Sequence, residues 1–191
     1  IYFGHHRIDW KGTIPVLKDI PLEIERKFLI KMPDLSSLQA ASHAVWQIEQ
    51  MYLQCFEKGE VRRIRRVTCA GKVQYFYTEK RHVSERSCEE REQKITAPEY
   101  EVLQVQRCPG SQVIQKTRYR IAWDAHILEI DVYPFWQDRA ILEVELGRED
   151  ELFTLPAELQ VYREVTGDIR YKNATLAFQI VTEPLEQLTK S

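Results

Sequence analysis

The sequence predicts an α+β fold in which about eight antiparallel strands form a curved or closed sheet with helices on its outside. Short strand-like runs fill most of the chain, and turn residues separate them at hairpin spacing. Most of these runs carry ionisable side chains on one face and apolar side chains on the other. The helical segments need an apolar surface to pack against, and the apolar faces of the strands would supply it.

Length and composition limit the protein class. The 191 residues suffice for one domain with a real core. The 27 basic and 29 acidic residues nearly cancel, which argues against a protein that binds nucleic acid or a membrane surface. The cysteines are widely spaced without a Cys-x-x-Cys pair, which indicates a reducing cytoplasm. We expect one domain over residues 22–185 after a leader segment over residues 1–21, and no apolar run approaches the roughly 20 residues of a membrane span.

The first predicted strand, Leu22–Ile30, carries an unusual set of charges. Alternation places Glu23, Glu25 and Lys27 on one face, while the opposite face is apolar apart from one arginine. An ordinary amphipathic strand would turn such charges toward water. The same arrangement returns in later segments, so it calls for an explanation that covers the whole sheet.

A helix is predicted next, over residues 36–49. Turn and N-cap residues precede it, and Leu38, Val45, Trp46 and Ile48 recur at helical spacing. This helix would pack one face on the sheet.

Three strand-like runs follow over residues 51–56, 60–67 and 72–83, with turns at Lys58-Gly59 and Ala70-Gly71. The middle run holds four arginines, and a cluster that dense also fits a nucleic-acid patch. Alternation does not decide which arginines face the interior of the sheet. The alternatives are Arg63 and Arg65 on one face, or Arg62 and Arg66 on the other.

The later strands repeat the pattern of a charged row opposite an apolar row. Between them a helix is predicted over residues 98–107, a turn at Trp123-Asp124 and a closing helix near the C-terminus. Alternation within each strand gives charged rows made up of Glu90 and Glu92, then Lys116, Arg118 and Arg120, then Glu129 and Asp131, then Glu143 and Glu145.

Helices on the outside would leave these charged rows lining the interior of a closed sheet. Unpaired buried charge is costly, so such an interior requires ligands of both signs. Carboxylate oxygens suit Mg²⁺ or Mn²⁺, and Arg and Lys suit phosphate oxygens. Alternation also permits an open sheet whose charged face lies in water.

The ordered series of motifs resembles the CYTH proteins, or triphosphate tunnel metalloenzymes, from about Leu22 to Phe178. Its start and end look most like the bacterial-type members that hydrolyse inorganic triphosphate. The resemblance implies an eight-stranded antiparallel β-barrel, a tunnel with a charged interior and helices packed outside, in which Arg63 and Arg65 face inward. The motifs are Glu-x-Glu-x-Lys at 23–27, RIR at 63–65, TEK at 78–80, EREQKI at 90–95, KTRY at 116–119, EIDVY at 129–133, LEVEL at 142–146 and EVTGDIRYKNATLA at 164–177.

The resemblance also implies roles for individual residues. The ligands of Mg²⁺ or Mn²⁺ would be Glu23, Glu25, Glu143 and Glu145, with Asp131 as a further ligand. The cations that bind the triphosphate would be Lys27, Arg63, Arg65, Lys80, Lys116 and Arg118, with Arg170 and Lys172 reaching a tunnel mouth from the closing helix. Further acids of the tunnel wall would be Glu90, Glu92 and Glu129. The residues expected to be needed for catalysis are Glu23, Glu25, Lys27, Arg63, Lys80 and Arg118.

The activity that the resemblance implies is metal-dependent hydrolysis of inorganic tripolyphosphate to pyrophosphate and phosphate. A class IV adenylyl cyclase and a thiamine- or nucleoside-triphosphatase share the same fold and stay open as alternatives. A non-catalytic binder of polyphosphate or RNA is a third alternative, although such a binder has no need for aligned carboxylates. The sequence contains no Gly-rich P-loop, so side chains would have to hold the phosphates.

Overall fold

The computed structural model describes residues 22–55 and 59–185. The leader segment over residues 1–21 and Lys58 of a predicted turn lie outside the described residues. In chain order the elements are β1 (Leu22–Lys31), α1 (Leu35–Ala41), β2 (Ala44–Leu53), β3 (Glu60–Cys69), β4 (Lys72–His82), β5 (Ser87–Ile95), α2 (Ala97–Gln104), β6 (Ile114–Trp123), β7 (His126–Val132), β8 (Arg139–Leu146), β9 (Val161–Glu164), a 3-10 helix (Ile169–Tyr171) and α3 (Asn173–Leu176).

Eight of the strands form a closed antiparallel barrel in the order β5-β4-β3-β2-β6-β7-β8-β1, and β1 pairs back with β5. The closing seam is short, because only Leu22–Ile24 pair with β5. Farther along the same edge, Phe28–Ile30 pair with β9. The predicted barrel is therefore confirmed, and β9 is an additional strand that the sequence pattern did not reveal.

Two of the predicted hairpin turns have backbone angles that favour tight reversals. Ala70 and Gly71 both adopt positive φ, at 46° and 76°, between β3 and β4. Asp124, with φ of 49°, lies in the turn between β6 and β7. Two consecutive residues at positive φ match the twist of the flanking strands, so the turn at Ala70-Gly71 sets the β3–β4 register.

The predicted helix over residues 36–49 is wrong beyond Ala41. The chain turns and enters β2 at Ala44, and the run over residues 51–56 contains the end of that same strand. The spacing of its apolar residues fitted a helix, but β2 gains backbone pairing from β3 on one side and β6 on the other. Bulky residues such as Trp46 also favour a strand once both edges are paired.

The outward faces of the strands form two apolar clusters. One cluster lies on β1, β6, β7 and β8 under α1 and a connecting segment that contains Phe153, Leu155 and Leu159. The other lies on β2, β3 and β5 under α2, whose Tyr100 and Leu103 are buried against it. The helices thus pack outside, as predicted, and an irregular segment shares that task. In the described part of the chain, every helix is too short or too polar to cross a membrane.

The barrel interior changes from charged to apolar along its length. The residues that lie two positions beyond Lys27, Lys116, Asp131 and Glu143 on the same strand faces are Leu29, Ile114, Tyr133 and Ile141, which are at most 1% exposed. Tyr171 and Leu176 pack against them from the C-terminal segment. The predicted closing helix is therefore reduced to a 3-10 turn and the short α3, which cover this apolar end.

Candidate active site

The barrel encloses a cavity of about 510 Å³, a volume typical of small-molecule sites. Its walls are built from alternate positions of the strands, which turn every second side chain inward. Most of the residues predicted from the sequence meet here. The predicted residues in the lining are Glu23, Glu25, Lys27, Arg63, Arg65, Lys80, Glu90, Glu92, Lys116, Arg118, Glu129, Glu143, Glu145 and Lys172.

Two predicted residues lie elsewhere. Arg170 is exposed outside the cavity lining and pairs with Asp168 and Glu183. Asp168 also accepts a hydrogen bond from the backbone N–H of Arg170, so it caps the 3-10 helix. Asp131 is fully buried behind the cavity lining rather than in it.

Arg118 is the centre of a buried ion-pair network. Asp131 accepts hydrogen bonds from its Nε and Nη2, both at 2.7 Å. The other partners of the guanidinium are Glu129 and Glu143. Lys116 also donates to Asp131, while burial and the charge of Arg118 lower the pKa of this lysine to about 8. With its hydrogen bonds already made, Arg118 is held in one orientation toward the cavity.

Lys27 and Glu143 form a second buried pair next to this network. They face each other directly in the β1–β8 register, and their charged atoms are 2.8 Å apart. Although burial opposes both charges, Lys27 and Arg118 hold the pKa of Glu143 well below its usual range. Glu143 and Glu25 raise the pKa of Lys27 in turn. Both residues are therefore charged in the folded protein.

A separate cationic group, Arg63, Arg65 and Lys80, lies on the opposite wall, on β3 and β4. Lys80 contacts Glu23 of β1 and Glu90 of β5, so it bridges the seam of the barrel. The carboxylates of Glu90 and Glu92 pair with Arg63 and Arg65 through one Nη atom each. The Nε atoms of both arginines are buried without an acceptor in the described part of the protein. These two donors could bind an anion.

On the acidic side of the cavity, by contrast, one carboxylate of the described residues lacks a cation. Glu145 lies directly opposite Glu25 in the β1–β8 register, an arrangement that repels. Within residues 22–55 and 59–185 the carboxylate of Glu145 makes no hydrogen bond or ion pair. Burial, and then the negative charges of Glu23 and Glu129, raise its pKa. A hard divalent cation fits these oxygen donors, so the residues present are compatible with Mg²⁺ or Mn²⁺.

Sequence reasoning missed several residues of the lining, among them Trp46, Tyr52, His82, Cys88 and Thr166. Extending the alternation of Lys80 and Glu90 by two residues would have found His82 and Cys88. The false helix over residues 36–49 hid Trp46, whereas Tyr52 lies in the run over residues 51–56, which was predicted as a strand but carries no charged row.

Cys88 is buried next to the carboxylates of Glu23 and Glu90. Its Sγ donates to Glu23 at 3.2 Å, and burial raises the pKa of the thiol to about 12. Ligand atoms of Glu23, Cys88 and Glu90 lie within 4.8 Å of one another. At neutral pH this thiol stays protonated and acts as a hydrogen-bond donor to Glu23.

The comparisons with known proteins agree with this geometry. The CYTH domain model matches residues 21–177. A crystal structure of the inorganic triphosphatase NE1496 is 32% identical, covers 83% of this chain and 95% of that chain, and has a TM-score of 0.50. Another crystal structure of NE1496, described there as a hypothetical protein, is also 32% identical, covers 83% of this chain and 99% of that chain, and has a TM-score of 0.52.

A more distant match shows the fold alone. The structure of PH1819 from Pyrococcus horikoshii OT3 is 21% identical, covers 67% of this chain and 80% of that chain, and has a TM-score of 0.51. The comparison with curated proteins found no match. The family match spans nearly the whole barrel, and from this we conclude that the chain belongs to the CYTH domain family.

Proposed function

We propose that this protein hydrolyses inorganic triphosphate to pyrophosphate and phosphate with the help of a divalent metal ion. The observation that carries the proposal is that one cavity in the described part of the chain holds a carboxylate without a cation and two arginine donors without an acceptor. Glu145 faces Glu25 and has no cation of its own among the described residues, while the Nε donors of Arg63 and Arg65 lack an acceptor. A metal ion and a polyanion together would satisfy both. Similarity to the inorganic triphosphatase NE1496 supports the same substrate.

The carboxylates Glu23, Glu25, Glu143 and Glu145 would hold Mg²⁺ or Mn²⁺, with Glu25 and Glu145 as the most available pair. Glu143 already binds Lys27 and Arg118, so it would hold the ion only while keeping those cations in place. Both oxygens of Asp131 accept from Arg118. The geometry therefore favours a positioning role for Asp131 over its predicted role as a metal ligand. When bound, the metal would polarise phosphate oxygens and lower the pKa of a water molecule.

The basic residues of both walls would bind the triphosphate. Arg63, Arg65 and Lys80 would contact phosphate oxygens from β3 and β4, and Lys27 and Arg118 from the opposite wall. Each of these cations is held by at least one carboxylate. Preorganised charges of this kind stabilise a transition state without reorienting during the reaction, which is how proteins promote phosphoryl transfer.

The reaction requires one water molecule and no protein nucleophile. The water oxygen would form a bond to the terminal phosphorus while the bond from that phosphorus to its bridging oxygen breaks. A carboxylate of the acidic group would accept the proton of the water, and pyrophosphate would leave. The protein's free cysteines suit a reducing compartment, and we place the enzyme in the cytoplasm.

The test is phosphate release from tripolyphosphate, ATP and thiamine triphosphate, each with Mg²⁺, Mn²⁺ or EDTA. The variants Glu25→Gln and Arg63→Ala should each lower turnover of tripolyphosphate by about 10²–10³-fold, as expected for preorganised charges. Arg66→Ala is a matched control, because Arg66 lies on the same strand and is exposed outside the cavity lining.

Each alternative predicts a different result. Conversion of ATP to cyclic AMP and pyrophosphate would favour a cyclase, and preferred hydrolysis of thiamine triphosphate would favour that substrate. Tight binding of tripolyphosphate without turnover under any condition would refute hydrolysis and leave a polyphosphate receptor.

A further inference from the structure

The cavity opens to solvent beside His82, Glu85 and Arg86, which are exposed and line it. Lys172, which directly precedes α3, lines the same opening. We call the three basic residues, His82, Arg86 and Lys172, the basic mouth, and Glu85 is a carboxylate at the same opening. Nothing in the proposed triphosphate site uses His82, and its position is set by β4, the strand that also carries Lys80.

Two side chains of the basic mouth differ from every other basic residue in the cavity lining. Each of the others donates a hydrogen bond or forms an ion pair. His82 and Lys172 make no side-chain hydrogen bond or ion pair within the described part of the chain. They come from separate elements, and although Glu25 lies near both and Glu85 near Lys172, neither carboxylate forms an ion pair with them in the described part of the chain.

The two side chains are close enough to influence each other electrostatically. Burial, and then the positive charge of Lys172, lower the pKa of His82. Burial also lowers the pKa of Lys172, with Lys27 as the next contributor. The ammonium of Lys172 and a ring N–H of His82 are two donors that face one cavity without a partner, which favours a bound anion between them.

The basic mouth lies beyond the cations proposed to bind triphosphate. Lys80 and His82 point into the cavity from the same face of β4, and two residues of a strand span roughly 7 Å. A phosphate chain that reaches Lys80 would therefore meet His82 and Lys172 only if it extended farther toward solvent. Arg63 lies one layer deeper, because it pairs with Thr78 in the β3–β4 register.

We propose that His82 and Lys172 form an additional phosphate subsite at the cavity mouth, which binds the fourth phosphoryl group of a linear inorganic polyphosphate. The proposal rests on the proposed function and extends its substrate class from tripolyphosphate to longer chains. His82 would donate from a ring nitrogen and Lys172 from its ammonium to the oxygens of that phosphoryl group. Tripolyphosphate would leave the subsite empty, so Lys172, which the family resemblance implied as a ligand of the triphosphate, would bind only a longer chain.

The test compares kcat/KM for tetrapolyphosphate with kcat/KM for tripolyphosphate. His82→Ala and Lys172→Ala should each lower this ratio by about tenfold, the loss expected for one hydrogen bond to a charged group. His82→Lys keeps a hydrogen-bond donor at the position and should retain the ratio. His43→Ala and Lys31→Ala are matched controls, since both residues are exposed outside the cavity lining.

The outcomes separate this proposal from the proposed function. If the wild-type protein releases no phosphate from tripolyphosphate, the proposed function fails, and the subsite fails with it. If tripolyphosphate is hydrolysed but the ratio does not change in His82→Ala and Lys172→Ala, the subsite alone is refuted. A ratio that falls as far in His82→Lys as in His82→Ala would also refute it, because a bulk or folding effect would then explain the loss.

Discussion

Glu145 and Glu25 face each other across β1 and β8; Glu25 contacts the ammonium of Lys27 at 3.4 Å, whereas Glu145 has no cationic partner in the described part of the chain. Like charges in this position destabilise a sheet. The neighbouring carboxylates contribute to the raised pKa of Glu145, after burial. The pKa of Glu145 is higher in the folded protein than in the unfolded chain. Ionisation of this carboxyl therefore lowers the stability of the folded protein as the pH rises above the unfolded-state pKa. The apo protein is therefore less stable at neutral pH than a protein without this charge.

We predict that Glu145→Gln raises the free energy of unfolding of the metal-free protein at pH 7 by about 0.2–1 kcal/mol, the range for a cross-strand charge pair. The gain should vanish at a pH below the usual carboxyl pKa, where both proteins are uncharged at this position. Urea unfolding in EDTA measures it. Glu101→Gln, on the exposed face of α2, is the control. An equal or lower stability of Glu145→Gln would contradict the repulsion argued here.

Many of the inward-facing residues could be predicted because side chains alternate between the two faces of a strand. Alternation placed Glu23 and Glu25 together because a strand has only two faces. It could not choose between Arg63 and Arg62, since both faces of β3 carry arginine, and the family resemblance was needed to select one. It also could not show that Asp131 is covered by Arg118, because burial within one face depends on neighbouring strands.

At the scale of elements, the edge of β1 between its two partners is held partly by a side chain. Pairing with β5 stops at Ile24, and pairing with β9 begins at Phe28. In the gap, the backbone N–H of Lys27 donates to the Thr166 hydroxyl oxygen at 3.0 Å. The N–H of Val165 donates to the carbonyl of Lys27 at 2.8 Å. Thr166 thus replaces a strand partner for the residue that binds Glu143.

Thr166→Val should lower the free energy of unfolding by about 1–3 kcal/mol, because it leaves the buried N–H of Lys27 without an acceptor while conserving side-chain shape. Chemical denaturation measures the change. Thr154→Val provides the comparison, since the Thr154 hydroxyl is exposed and, among the residues that the structure describes, bonds only to Asp124. If the two variants lose the same stability, the edge of β1 at Lys27 does not depend on the Thr166 hydroxyl.

The elements were predictable where local signals were unambiguous. The turn at Ala70-Gly71 and α2 with its Thr96 capping box both follow from short-range chemistry. The start of β2 at Ala44 and the existence of β9 depend on partners far away in sequence. β9 is only four residues long, Val161–Glu164, and its pattern alone carries no strand signal.

At the scale of the whole molecule, the cavity combines two opposite charges that a single ligand cannot satisfy. A polyanion alone would meet the repulsion of the acidic group around Glu145. A divalent cation alone would leave the Nε donors of Arg63 and Arg65 without an acceptor. Since each ligand removes the obstacle to the other, their binding should be coupled, and the coupling must be reciprocal.

We therefore predict that Mg²⁺ and imidotriphosphate, an analogue whose P–N–P bridges resist hydrolysis, stabilise the protein more together than the sum of their separate effects. With the complex at about 100 times its Kd, the melting temperature should rise by roughly 5–10 °C for a domain of this size. Differential scanning fluorimetry with each ligand alone and with both measures the coupling. Sulfate at matched ionic strength controls for general anion effects. Strictly additive shifts would mean that the acidic and basic walls bind their ligands independently, and the shared-cavity mechanism would then be wrong.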